Sequence, residues 1–357
     1  MACSSEHSID IHETAGIARN NEIVEIETVK LAANTIEPIF RLVDSKGREI
    51  PYQFTYDGKM IFPVTVAAHG TEKIRIVHGE ASAVDTMACG AFYPERKDDL
   101  AWENDRGAYR AYGPALQASG EQAYGYDIWT KSVPQPVVRR RYTEAFTLDK
   151  NFHEDHGDGM DVYTVGPTLG GGTAALIDST GSIVYPACFA KYEILDNGPL
   201  RFTARLEYDG GETRVISLDA GEYLNRTEVC MPAPQADTIA AGIVIHRQNP
   251  DGYILSPDAK YMAYADLTDN TDNDNGVIYV GVVAPDATAM AMDSLAEPRG
   301  DAIGHILAKS AYRNGESYIY YWGSGWSKGF MPDWQTWQQY LAEFSARKEH
   351  PLTIHLN

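Results

Sequence analysis

The stretch TARLEYDGGETRVISLDAGEYLNRTEVC, residues 203–230, decides the predicted fold of this chain. Three β-rich segments, 203–208, 213–218 and 224–230, are separated by the turn sequences DGG and DAG. Aspartate and glycine favour tight turns, and short strands spaced by such turns are typical of antiparallel sheets. The same alternation of strand and turn recurs along most of the 357 residues. We therefore predict an all-β protein built on a large antiparallel β-sandwich.

The pattern divides the chain into two predicted regions. Residues 1–80 carry short strands with period-two alternation, as in KIRIV at 73–77, and predict a small N-terminal β-sandwich behind a flexible tail at 1–15. Residues 81–357 are predicted to form the large sandwich. Near its end, Asp333 offers an N-cap to apolar residues at helical spacing, which predicts an amphipathic helix over about 333–348.

The composition argues against several classes of protein. Asp and Glu number 50 against 30 Lys and Arg, and the net charge of −20 repels nucleic acid. No apolar run approaches the ~18 residues of a membrane helix, so no transmembrane segment is predicted. The four cysteines are too few for a disulfide scaffold and lack C-x-x-C zinc spacing. Whether Cys89, Cys188 and Cys230 form any disulfide stays open.

The N-terminal sequence MACSS resembles the start of a mature bacterial lipoprotein whose signal peptide has been replaced. On this interpretation Cys3 carries a lipid anchor, and the protein lies in the periplasm or on the outer membrane of a bacterium. The alternative is a stray cysteine in a disordered terminus.

The run NFHEDHGDGMDVY at 151–163 is the densest group of ionisable residues. A core strand does not accommodate so many charges, because each unpaired buried charge costs on the order of several kcal/mol. Histidine titrates near neutral pH, so an acid–base role is favoured over metal binding through H-x-x-H. No cofactor is required, although a divalent metal stays open, as does a solvated loop. The predicted roles are His156 as base, Tyr163 as acid, and orientation of the imidazole or substrate contact by His153, Asp158 and Asp161.

The run ERKDDLAWENDRGAYRAYGP at 95–114 alternates charges with aromatic residues. Carbohydrate sites use aromatic faces for stacking and Arg, Asn or carboxylates for hydroxyl groups. If 103–111 is a strand, Arg106 and Arg110 share a face suited to binding a carboxylate. A solvated ion-pair network is the alternative. Further predicted substrate contacts are Arg96, Trp102, Glu103, Asn104, Tyr112 and, in a glycine-rich loop, Trp326. His246 ends an apolar strand and is a weaker candidate, either facing a cleft or lying in the core.

Taken together, residues 93–114, 151–173, 196–199, 217–221 and 323–328 resemble a bacterial family catalogued as domain of unknown function 4861. The resemblance implies a β-supersandwich akin to those of galactose mutarotases and polysaccharide lyases. It also implies a place in polysaccharide-utilisation loci, action on uronate-containing polysaccharides, and kinship with an oligosaccharide dehydratase of ulvan breakdown.

The residues and the resemblance together predict a lyase or dehydratase that performs β-elimination on an anionic uronyl oligosaccharide. Elimination needs the carboxylate neutralised, a base at C5 and an acid at O4, and it leaves a 4,5-unsaturated uronyl product. This mechanism requires His156 and Arg106 to share a cleft. The alternatives are a glycoside hydrolase using Glu103 or Asp105 with Asp158, and a non-catalytic glycan-binding lipoprotein.

Overall fold

The structure is a computed structural model that describes residues 7–33 and 39–357. Its strands are β1 His7–His12, β2 Arg19–Glu27, β3 Phe40–Val43, β4 Glu49–Ile50, β5 Gln53–Phe54, β6 Lys59–Val66, β7 Thr71–His78, β8 Cys89–Tyr93, β9 Asp99–Glu103, β10 Ala108–Ala111, β11 Asp127–Trp129, β12 Gly171–Ile177, β13 Ile183–Val184, β14 Lys191–Asn197, β15 Arg201–Glu207, β16 Thr213–Asp219, β17 Leu224–Cys230, β18 Thr238–His246, β19 Tyr253–Ser256, β20 Tyr261–Asp266, β21 Ile278–Val283, β22 Ala289–Arg299, β23 Ala302–Ala311, β24 Ser317–Trp326 and β25 Thr353–Leu356. Its helices are α1 Thr28–Ala33, α2 Pro114–Ala118, α3 Val138–Leu148 and α4 Trp334–Glu349.

The N-terminal strands form two packed sheets, ordered β25-β1-β7-β3-β4 and β2-β6-β5. Period-two alternation in β7 buries Ile74 and Ile76, which share a core with Val24 and Phe62 of the second sheet. This confirms the small N-terminal β-sandwich. The chain also returns to it at the end, because β25 pairs antiparallel with β1.

Three sheets make up the large sandwich. An eight-stranded sheet, β14-β15-β16-β17-β24-β21-β20-β19, packs against a five-stranded sheet, β13-β12-β18-β23-β22, and a four-stranded sheet, β11-β10-β9-β8. Trp322 lies at the shared core, stacked on Tyr126 at 4.3 Å, and its indole N–H donates to Thr227 Oγ1 at 2.8 Å. The meander β15-β16-β17 pairs in sequence order. The all-β sandwich prediction is confirmed.

The helices divide into one that was predicted and others that were not. The Asp333 carboxylate accepts the Thr336 backbone N–H at 2.8 Å and begins α4, which packs Trp337, Leu341 and Phe344 on the outer face of the eight-stranded sheet. The amphipathic C-terminal helix is thus confirmed. Helices α2 and α3 were not predicted, because the sequence from residue 88 to α4 shows no convincing helical period. Three consecutive arginines in α3 obscure its apolar period.

The open end of the large sandwich brings three strand ends together. β18 of the five-stranded sheet ends at His246, and β20 of the eight-stranded sheet ends at Asp266. The tight turn between β22 and β23 lies beside β18 and contains Gly300 at φ +66°, a conformation that glycine adopts without strain. Residues 149–170, which connect α3 to β12, supply the polar run.

Candidate functional site

The polar run at 151–163 is an irregular loop that turns from solvent into the protein. His156 is exposed, and its Nε2 lies 2.8 Å from a backbone carbonyl oxygen of the same loop. The Asp155 carboxylate accepts two backbone N–H bonds from the following glycines, as in an Asx turn. His153 is half-exposed, with Nδ1 2.6 Å from the carbonyl oxygen of Asp161. The outer part of the run therefore has the geometry of a solvated loop.

Arg106 and Arg110 do not share a face, because 103–111 is not one strand. β9 ends at Glu103 and β10 begins at Ala108, and the turn between them is closed by a backbone hydrogen bond of 3.0 Å. Arg106 lies on the turn, whereas Arg110 is 4% exposed. The predicted common carboxylate-binding surface is therefore wrong.

Arg106 has surroundings of its own. Its guanidinium lies over the rings of Tyr223 and Phe330, at 5.9 and 5.2 Å, and pairs with Asp105 at 3.4 Å. It borders a cavity of about 520 Å³ between the two sandwiches. Within the part of the chain that the structure describes, no contact partner of Arg106 is shared with His156. The contacts thus give no support to a cleft shared by the two residues.

Several predicted substrate contacts are buried in the framework instead. Trp102 is 1% exposed and packs in the shared core. Glu103 accepts backbone N–H bonds at the start of α3 and pairs with Lys131 Nζ at 2.7 Å. The Asn104 amide donates to the carbonyl oxygens of Asp219 and Glu222, and the Trp326 indole N–H donates to the carbonyl oxygen of Asn275 at 2.8 Å. Both faces of this hairpin are covered, which local alternation does not reveal.

The glycosidase alternative loses its carboxylate pair for a related reason. Asp158 is 6% exposed and pairs with Arg140 and Arg141. Burial raises the pKa of Asp158, but the two arginines outweigh it and hold that pKa below its ordinary value. Glu103 is committed to α3, and Asp105 accepts a backbone N–H at 2.6 Å. All three carboxylates of the predicted glycosidase pairs are therefore already engaged by partners within the protein.

Arg110 is the centre of a buried group that we call the Arg110 cluster: Arg110, Asp99, Asp127 and Asp161. Its guanidinium reaches Asp161 at 2.9 Å and Asp99 at 3.5 Å, and it also pairs with Asp127. Two tyrosine hydroxyls complete the group: that of Tyr112 donates to Asp127 at 2.9 Å, and that of Tyr142 donates to Asp99 at 3.1 Å. Arg96 lies over Phe152 at 5.4 Å, at the edge of this group.

One cation does not offset three buried carboxylates. Burial raises the pKa of Asp99 to about 6, although Arg110 and Arg96 lower it. Burial raises the pKa of Asp161 to about 7, against the charge of Arg110 and with a further increase from Asp127. The cluster therefore holds protons that the unfolded chain releases.

Replacing Asp161 by asparagine should flatten the pH dependence of stability. The folded-state pKa of about 7 exceeds the ordinary 3.8, so the folded state binds the extra proton and wild-type stability falls as pH rises between these values. Asparagine has no such proton. Urea unfolding at about pH 5 and about pH 8 should show a smaller decline for Asp161→Asn than for wild type.

Asp158→Asn is the matched control, because the pKa of Asp158 is lowered rather than raised. Its contribution is fully present above the ordinary Asp pKa, so this variant should change the level of stability and not its slope. Equal slopes for wild type and Asp161→Asn would contradict the assignment.

A second polar group, the His246 group, lies at the open end of the sandwich and comprises Tyr163, His246, Asp266 and Asp301. His246 Nδ1 lies 2.6 Å from Asp266 Oδ2, and its Nε2 lies 4.0 Å from Asp301 Oδ1. The ring of Tyr163 is 6.0 Å from that of His246. His246 Nε2 and the Tyr163 hydroxyl are both buried and form no hydrogen bond of normal geometry in the described ranges, although the Thr164 carbonyl lies close enough to the imidazole to raise its pKa. Buried polar atoms nearly always have partners, so two such atoms side by side indicate a place for a polar ligand.

The surroundings of His246 and Tyr163 shift the pKa of both side chains. Burial lowers the pKa of His246, but the hydrogen bond and charge of Asp266, with Asp301 and the Thr164 carbonyl, raise it above its ordinary 6.5. Burial raises the pKa of Tyr163 well above 10, and the charge of Asp266 adds to this. The phenol is therefore protonated at neutral pH, while the imidazole keeps its proton to a higher pH than an ordinary histidine does.

Only part of the His246 group could be predicted from the sequence. Tyr163 was predicted, and His246 was noticed only because it ends an apolar strand. Asp266 and Asp301 had no local signal, since one ends a strand of the opposite sheet and the other lies in a turn. Aspartate in such places is ordinarily a turn or capping residue.

The remaining predictions concern a metal site, disulfides, a transmembrane segment and a lipid anchor. In residues 7–33 and 39–357, no group of three or more His, Cys, Asp or Glu side chains could hold a metal ion. Cys89, Cys188 and Cys230 are free thiols. No helix of the described chain is long and apolar enough to span a membrane. The lipid-anchor prediction at Cys3 lies outside the described residues.

The fold and the site define a two-part β-sandwich protein with a buried histidine–aspartate pair beside a tyrosine. The chain belongs to the family described as Domain of unknown function (DUF4861), whose model matches residues 11–354. The family resemblance is thereby confirmed.

The chain is also similar to individual proteins. The chain is 28% identical over 296 residues to "Uncharacterized protein P7" of Formosa agariphila, covering 78% of this chain and 72% of that protein. It is also similar to a solved structure of a protein in the glycosyl hydrolase family 38 from Enterococcus faecalis, with 9% identity and a TM-score of 0.48. That match covers 100% of this chain and 48% of the other, so this chain spans about half its length.

Proposed function

We propose that this protein is a carbohydrate-active lyase or dehydratase that performs β-elimination on uronyl oligosaccharides. One observation carries the proposal: His246 Nδ1 is hydrogen-bonded to Asp266 at 2.6 Å, while His246 Nε2 and the neighbouring Tyr163 hydroxyl are buried and form no hydrogen bond of normal geometry among the described residues. A base and an acid are thus available on adjacent side chains. The proposal retains Tyr163 as acid and moves the base from His156 to His246.

His246 has the arrangement of a general base. The Asp266 carboxylate accepts the Nδ1–H, which fixes the tautomer and leaves the Nε2 lone pair for a substrate proton. Because Asp266 raises the pKa of His246, the neutral imidazole is a better proton acceptor once the pH exceeds that pKa. The proton it takes is the one on C5 of the uronate.

Tyr163 is suited to act as the general acid. With a pKa well above 10 it keeps its proton at neutral pH and cannot serve as the resting base. In elimination, the C5–H electrons form the C4–C5 double bond while the O4 leaving group receives a proton. C5 and O4 are two bonds apart, so base and acid must be neighbours, as the 6.0 Å separation of the two rings allows.

The remaining parts of the proposal concern the leaving group and location. A dehydratase expels water from a terminal uronate, and a lyase expels a sugar, and the same two residues serve either reaction. Export to the periplasm or outer membrane, with a lipid on Cys3, stays a proposal. His153 lies half-exposed above Asp161 and can contact substrate from the loop side.

Purified protein should convert a uronyl oligosaccharide into a product that absorbs in the near ultraviolet. Ulvan, pectin, alginate and glucuronan oligosaccharides are to be incubated with and without chelator, and followed by absorbance and mass. A mass loss of one water indicates dehydration, and shorter unsaturated products indicate chain cleavage. Tyr163→Phe should give no absorbance rise. Flat absorbance while an oligosaccharide is consumed, with release of saturated reducing sugars, would favour hydrolysis and refute elimination.

A further inference from the structure

Arg299 is a cation without a carboxylate partner in an otherwise acidic protein. It ends β22, its Nη1 donates to the Pro167 carbonyl at 2.6 Å, and its guanidinium carbon lies 4.3 Å from the centre of the Tyr185 ring. It forms no ion pair within the described ranges, although the chain carries a net charge of −20. Asp293, whose charge acts on Tyr185, does not pair with it. Arginine forks of this kind are suited to binding a planar oxyanion.

His305 presents a second unused donor beside it. The side chain is 0% exposed, and Nε2 accepts the Leu169 backbone N–H at 3.2 Å, which places the ring hydrogen on Nδ1. Nδ1 has no partner among the described residues, and neither does the hydroxyl of Tyr185, whose ring lies 5.9 Å away. Burial lowers the pKa of His305 to about 3, and the charge of Arg299 contributes to this decrease. The ring is therefore neutral at physiological pH and donates from Nδ1.

We infer that Arg299, His305 and Tyr185 form an anion subsite that takes the carboxylate of a uronate. The three side chains offer a guanidinium, an imidazole N–H and a phenol O–H, so the matching ligand is an acceptor with negative charge. Two of these donors are buried and have no partner among the described residues, which indicates a built site, because buried polar groups are nearly always hydrogen-bonded.

The subsite adjoins the His246 group. Arg299 and Asp301 lie on the same tight turn, and Asp301 Oδ1 is 4.0 Å from His246 Nε2. The charge of His246 also reaches His305. A carboxylate held here brings the carbon that bears it, C5, toward the base. The arginine then offsets the charge that develops when the C5 proton is removed. The sequence analysis predicted Arg106 and Arg110 as the residues that bind the substrate carboxylate.

The inference rests on the proposed function for the identity of the anion, but binding can be measured without turnover. Isothermal titration calorimetry of the Tyr163→Phe protein measures its affinities for the methyl glycosides of glucuronate, galacturonate and mannuronate. The affinity for each uronate is compared with that for the corresponding neutral methyl glucoside, galactoside or mannoside. At least one uronate should bind about tenfold or more tightly than its neutral counterpart. Adding Arg299→Gln should abolish this preference, and Arg299→Lys should leave part of it.

Arg205→Gln is the matched control, because Arg205 is a partly exposed arginine of β15 that pairs with Glu193 at 2.9 Å. It removes the same charge and should keep the preference. A uronate preference that survives Arg299→Gln, or no preference in the parent protein, overturns the subsite. If the preference depends on Arg299 but wild type yields no unsaturated product, the subsite stands and elimination fails. If product forms and Arg299→Gln has no effect on it, elimination stands and the subsite fails.

Discussion

His246→Ala is expected to lower kcat for the unsaturated product by about 10²- to 10⁴-fold, the range that a general base contributes. The loss should fall on kcat more than on KM, because the imidazole acts on the C5 proton during reaction. In wild type, kcat/KM should rise with pH through the pKa of His246, which lies above 6.5. Asp266→Asn should move this rise to lower pH, because it removes the charge that raises the pKa, and should also slow the reaction.

Two histidine variants complete this experiment. His355→Ala is the matched control, since His355 is an exposed imidazole on β25 of the small sandwich, and it should leave kcat unchanged. His156→Ala separates the sequence prediction from the structure. A collapse of kcat with His156→Ala and normal kcat with His246→Ala would return the base to the exposed loop. Circular dichroism of each variant excludes unfolding as the cause of a loss.

The fold could be predicted from the sequence because its signals are local. Each turn in 203–230 needs only a few residues of Asp and Gly chemistry, and each strand needs only its own alternation. The helix α4 has a clear cap at Asp333 and a regular apolar face. Helix α3 was missed since its buried face includes Arg141, whose side chain donates to a carbonyl oxygen and to Asp158. A buried arginine cannot be distinguished from an exposed one by its position in the sequence.

The site was only partly predictable because its members meet through pairings between distant strands. Tyr163 precedes His246 by more than eighty residues, and Asp266 comes from the opposite sheet. The high density of ionisable residues predicted a site at 151–163, but the Asp155 carboxylate in this run stabilises a turn instead. The more useful signal was weaker: a lone histidine, His246, at the end of an apolar strand. Its unpartnered Nε2 becomes visible only when the sheets are assembled.

Arg110→Met should destabilise the protein by about 3–5 kcal/mol, since removal of one partner leaves buried charges uncompensated. Three carboxylates depend on this guanidinium, those of Asp99, Asp127 and Asp161. The loss should be smaller at about pH 5 than at about pH 8, because Asp99 and Asp161, with pKa values of about 6 and about 7, are then protonated. Urea unfolding at the two pH values measures both effects.

Arg205→Met is the control, because a surface ion pair such as that of the partly exposed Arg205 with Glu193 contributes only about 0–1 kcal/mol. The double variant Arg110→Met/Asp161→Asn should recover part of the loss, since it removes one of the stranded charges. These outcomes also decide what Arg110 does. If it binds the substrate carboxylate, as the sequence predicted, Arg110→Met would raise KM while stability stays near that of wild type. At 4% exposure and with three aspartates around it, Arg110 should instead affect stability first, and the folded fraction of the variant should retain its KM.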